Sequence, residues 1–162
     1  MYDLLLKGAR VINPAQGIDS FLDIAITNQI IANISPNIST NESTKTLQLD
    51  GNLVTPGLID IHSHVYRPSK MKIYPDVAGV LSGVTTVVDA GGADVSDFPI
   101  FERFIREKSK STVYAFLNIT QHLTSLPNAI EEQSVVKTIQ SFSEEYPGLI
   151  KGIKVSVDEN WV

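Results

Sequence analysis

The 162-residue chain contains no cysteine. That removes disulfide staples, thiolate nucleophiles and cysteine-ligated zinc from consideration, and it fits a reducing compartment. Basic runs are missing too. Thirteen Lys and Arg stand against 18 Asp and Glu, for a net charge of −5, and no stripe of positive charge is present to neutralise a phosphate backbone. A nucleic-acid partner is therefore not expected. No stretch approaches the roughly 18 consecutive apolar residues of a membrane helix, so no membrane partner is expected either. The start, MYDLLLKGARV, lacks the basic region and long apolar run of a secretory signal, which makes the cytoplasm the expected location.

What is present falls into two stretches. In residues 1–56, YDLLLKGARVIN, LDIAITNQIIANIS and KTLQLDGNLVTP are short β-branched runs broken by Gly, Asn, Asp and Pro, the pattern of short antiparallel strands joined by turns. The polar run SPNISTNESTK reads as a loop. A small β-sandwich segment is expected here, incomplete as a domain.

From residue 57 the rhythm changes. GLIDIH, VTTVVDA, VYAFLNI and LIKGIKVSV are continuous apolar runs, and YPDVAGVLSG, SDFPIFERFIREKSK and IEEQSVVKTIQSFSEEY between them are helix-like. Apolar strands alternating with amphipathic helices predict parallel βα units covered on both faces. In the second helix Phe98, Phe101, Phe104 and Ile105 fall on one predicted core face, and Asp97 is a candidate N-cap ahead of Pro99. The fold class expected is α/β. Residues 57–162 would supply the first four strands of a (β/α)8 barrel, about half of the usual eight units.

One segment carries chemistry. In PGLIDIHSHVY, strand alternation places Asp60, His62 and His64 on one face and Ile59, Ile61 and Val65 on the other. Two imidazoles at i and i+2 can hold one divalent ion if further ligands arrive from elsewhere. They also stand at the C-terminal end of the first parallel strand, where such barrels place their active sites. A structural histidine pair in an unrelated α/β domain is the alternative.

GNLVTPGLIDIHSHVY resembles the start of the barrel in the amidohydrolase superfamily, including its dihydroorotase-like and deacetylase-like members. GVTTVVDAGG is similar to that family's second strand, and LIKGIKV to the strand bearing its carboxylated lysine. The resemblance spans the whole chain and implies one or two divalent ions, zinc first among them, held by His62, His64 and a carbamate on Lys154. Lys154 and Lys151 lie on opposite faces of the fourth strand, and an inward amine is costly unless paired or neutral. Burial favours the neutral amine, which adds carbon dioxide to become an anionic oxygen ligand. Asp60 would support the ligands from behind.

The implied reaction is hydrolysis of an amide-type C–N bond in a small N-acyl or cyclic amide. Dihydroorotases continue the histidine motif as D-x-H-x-H-x-R; here Tyr66 stands at the arginine position and Arg67 is displaced by one, which points to the deacetylase-like group. Asn118 and Thr120 would line the substrate pocket, with Asp89 beside them; strand-end capping is the equal alternative for all three. His122 lies in a loop. The family's later histidines and catalytic aspartate have no counterpart here, since Asp158 falls in the tail VDENWV. The chain is therefore expected to be a truncated or split form, inactive alone, completed by a C-terminal fragment or assembled as a homo-oligomer. A catalytically inactive remnant or interaction module is the alternative.

Overall fold

The computed structural model describes residues 1–66, 73–119 and 132–156, with the side chains of 132 and 133 left aside. It divides into two compact units, Met1–Pro56 and Gly57–Val162. Among the described residues no helix is long and apolar enough to cross a membrane.

The first unit is one five-stranded sheet: β1 (Leu4–Asn13), β2 (Ile18–Thr27), β3 (Ile30–Ser35), β4 (Thr46–Gln48) and β5 (Leu53–Val54). Its order is β3-β2-β1-β4, with β5 also paired to β1. The hairpins β1/β2 and β2/β3 are antiparallel, and the second turns through Asn28 and Gln29, both at positive φ, as a two-residue hairpin turn requires. The expected all-antiparallel arrangement does not extend further, because β4 and β5 run parallel to β1. A parallel return needs a long crossover, and the polar run after Ser35 supplies it, with a capping box formed by Ser39 and Glu42.

The second unit is a four-stranded parallel sheet in the order β6 (Leu58–Ser63), β7 (Val84–Asp89), β8 (Thr112–Asn118), β9 (Ile150–Lys154). Helices α1 (Pro75–Ala78), α2 (Phe98–Phe101) and α3 (Glu132–Glu145) separate the strands. Alternate residues of β8, Val113, Ala115 and Leu117, enter the core with Val87, Phe98 and Phe101. At both sheet edges apolar side chains stay open: Leu58, Ile59 and Ile61 on β6, Ile153 on β9 and Val155 just after it.

Three expectations about helices need correction. YPDVAGVLSG forms one α-turn and then a 3-10 turn at Val80–Ser82, broken where Gly79 leaves helical geometry at φ −93° and ψ −114°; a Cβ there would collide with the Ser111 side chain and come 2.8 Å from the Pro75 carbonyl. The second helix passes from α2 into a π-turn over Glu102–Arg106. Phe98, Phe101 and Ile105 are buried, whereas Phe104 is 59% exposed, since the widened turn carries it off the core face. Nor does Asp97 cap α2; it makes no side-chain cap bond. Asp94 holds that corner instead, accepting from the backbone N–H of Ser96 at 2.8 Å and of Asp97 at 3.1 Å.

Candidate functional site

The C-terminal ends of the four parallel strands carry the chemistry. On β6, the His62 and His64 ring centroids lie 5.4 Å apart at an interplanar angle of 76°. Among the described residues neither imidazole has a hydrogen-bonding partner, and His62 is exposed while His64 is half-buried. Regular alternation does not persist to the strand end, because the β6/β7 register is irregular between Asp60 and Ser63. The Asp60 carboxylate turns back onto its own strand. It accepts from the Ser63 hydroxyl and from the His62 backbone N–H, so it fixes the main chain at His62 rather than the ring. Those two bonds, from Ser63 first and then His62, hold its carboxyl below the usual range against the opposing effect of burial.

Asp89 ends β7 and is fully buried. Its Oδ2 accepts from the backbone N–H of Val65 at 2.8 Å and of Tyr66 at 2.9 Å, and its Oδ1 from the N–H of Gly92. Of the two roles open to it, the capping role is the one observed. Next to it, Gly91 has φ +84, and a Cβ there would lie 2.6 Å from Lys154 Cβ. The Asn118 Nδ2 donates to the Gly91 carbonyl at 2.8 Å, and Asn118 and Lys154 are register partners on β8 and β9.

The two lysines of β9 differ in surroundings. Lys151 is exposed, with its Nζ 4.5 Å from the centroid of the Tyr114 ring. Lys154 is half-buried against Gly91, and its amine has no hydrogen bond or ion pair among the described residues. Thr120, His122, Arg67 and Asp158 lie outside the described residues.

As a metal site, the strand ends offer two imidazoles and one amine that have no hydrogen-bonding or charged partner among the described residues. Among the described residues, no group of three or more His, Asp or Glu could hold an ion. A third ligand drawn from the described residues would therefore be of another kind, as a lysine carbamate would be. β6 and β9 are the two edges of the sheet, and three strand spacings would put them about 14 Å apart if it were flat. Sheet curvature and inward-pointing side chains have to close that distance. The donor chemistry fits a divalent ion to this extent.

No family model matches the chain. A dihydroorotase from Trichlorobacter lovleyi is 36% identical over 97 residues, covering 60% of this chain and 22% of that protein. A deacetylase from Enterococcus faecalis is 31% identical over 159 residues, covering 94% of this chain and 41% of that protein. A crystal structure of a dihydroorotase superposes with a TM-score of 0.74 and 28% identity, covering 94% of this chain and 42% of the other. The chain belongs to the amidohydrolase superfamily. It spans about two fifths of the deacetylase and of the dihydroorotase structure.

Tyr66 is a core residue of this chain. It is buried, with its ring edge-on to Phe101 at 5.9 Å. Burial, then the charges of Asp97 and Asp94, push its hydroxyl pKa up. Asp89 is the functional candidate whose part was least visible in the sequence, because its three donors are backbone N–H groups. The Asp-Ala-Gly-Gly run at the strand end was the available signal.

Proposed function

We propose that the chain supplies the first part of the metal centre of a hydrolase acting on an amide-type C–N bond in a small N-acyl or cyclic amide. His62 and His64 would hold a divalent ion, zinc by preference, and Lys154 as its carbamate would bridge it to a second. Bound there, the ion supplies Lewis acidity and lowers the pKa of water to about 7. Lys154 reacts through its neutral amine: the Nζ–C bond forms on carbon dioxide and one proton leaves to solvent. Asn118 remains a substrate-facing candidate beside Lys154, and Thr120 another beyond it. The proton shuttle and the remaining ligands would come from strands that pair along the open edges of β6 and β9, in a complementing fragment or a second copy.

The observation that carries this reading is the pair of neighbouring imidazoles at a parallel strand end, 5.4 Å apart and without protein partners among the described residues. The deacetylase relative, aligned over nearly the whole chain, and Tyr66 in place of arginine favour an acyl-amide over dihydroorotate. Zinc binding by isothermal calorimetry, in bicarbonate and in carbon-dioxide-depleted buffer, tests it. Wild type should bind, His62→Ala and His64→Ala should not, and Lys154→Met should lose the bicarbonate dependence. Equal zinc uptake by all four proteins would contradict the proposal.

A further inference from the structure

The Asp89 carboxylate has a wider reach than closing its own turn demands. A strand-end aspartate that merely capped its loop would bond Gly92 and stop there. Here the second oxygen takes both N–H groups that follow His64, those of Val65 and Tyr66. The first oxygen takes Gly92, the neighbour of the glycine on which the Lys154 stem rests. The Ala90 N–H adds a parallel tie, donating to the Ser63 carbonyl at 2.7 Å, and the Ser63 hydroxyl in turn holds Asp60. Thus one fully buried side chain is bonded to the main chain beside one candidate ligand and to the turn beneath another.

We propose that Asp89 is a positioning residue: by joining the segment after His64 to the Gly91–Gly92 turn, it sets where the imidazoles of β6 and the Lys154 amine stand relative to one another. This rests on the reading above that these groups share an ion. Gly91 belongs to the same device, since a methyl group there would displace Lys154 directly and add the strain of a left-handed φ.

The geometry makes the two substitutions act differently. In Asp89→Asn the amide oxygen keeps Val65 and Tyr66, because turning it the other way would set its NH2 against two donors instead of one. The NH2 then faces the Gly92 N–H, donor against donor, and the Lys154 side of the brace is released. In Gly91→Ala no carboxylate oxygen is lost, and the added methyl presses on Lys154 while straining the turn itself.

The test uses the 162-residue chain, labelled with nitrogen-15 and titrated with cobalt(II) as the metal probe. Asp89→Asn should bring faster exchange of the Gly92 amide with Val65 and Tyr66 still protected. Both variants should bind cobalt about 10- to 100-fold more weakly, the range for groups that orient ligands, with an altered visible absorption band and unchanged far-ultraviolet circular dichroism. Wild-type affinity and an unchanged band in both variants would overturn the proposal. Should wild type bind no cobalt, the metal reading fails, and the brace is judged metal-free. In that case shifted Lys154 side-chain resonances in Asp89→Asn support it, and unshifted ones overturn it. If Asp89→Asn does not fold, Asp89→Glu, which keeps the charge but lengthens the arm, decides: weaker cobalt binding or shifted Lys154 resonances support the proposal, and wild-type affinity with unshifted resonances overturns it.

Discussion

Each unit of this molecule is built around a buried aspartate, and the two are neutralised differently. In the first, Asp23 accepts from the N–H of Gly8 and of Ile38, both at 2.8 Å, and from the Lys7 ammonium at 2.8 Å. Lys7 also donates to the Ile38 carbonyl at 2.9 Å. The ion pair pins the bulge at Gly8, where the β1/β2 register slips between Leu6 and Ala9. In the second, Asp89 has three N–H donors and no ion pair among the described residues, while the neighbouring Lys154 amine goes without a carboxylate. A charge pair spent internally makes a rigid corner. Withholding the lysine leaves an amine open to further chemistry.

Removing each carboxylate sharpens that contrast. Asp23→Ala leaves the partly buried Lys7 charge, the buried Ile38 N–H and the half-buried Gly8 N–H without their partner, and the loss should run up to the about 3–5 kcal/mol of a fully buried pair; urea melts of the full chain should show it. The pH dependence carries the same signature. Burial pushes the Asp23 carboxyl up, but the bonds from Lys7, Ile38 and Gly8 outweigh it, so its folded pKa lies below the ordinary value. Its stabilisation is therefore complete above the ordinary carboxylate pKa of about 3.9 and is lost as pH falls through the lower folded value. Acid melts of wild type and Asp23→Ala should converge there. Asp89→Asn should cost less, about 1–3 kcal/mol for one opposed buried donor. A larger loss than Asp23→Ala, in the same melts, would break the comparison by making Asp89 the chief structural carboxylate.

Much of the parallel sheet was legible because strands covered on both faces are apolar throughout, as VTTVVDA and VYAFLNI are. That Lys151 and Lys154 lie on opposite faces followed from alternation; which of them is the more buried did not, and rested on the resemblance. The direction of β4 and β5 did not, since a three-residue strand such as Thr46–Gln48 looks the same in either orientation. Phe104 escaped because a π-turn changes the helical phase without any glycine or proline to mark it. Asp94 and Asp89 act through backbone N–H groups, which every residue but proline carries, so only the folded chain selects their partners. The histidine pair was readable because imidazoles so close at a strand end are hard to explain as core; the register irregularity at Asp60 was not.

The most direct test is anomalous diffraction at the zinc edge from crystals of the chain grown with zinc and bicarbonate. A peak bonded to nitrogen atoms of both His62 and His64, with added density on the Lys154 amine reaching toward it, is the result expected. Imidazoles turned apart with zinc elsewhere, and an unmodified Lys154 out of reach, would contradict the account.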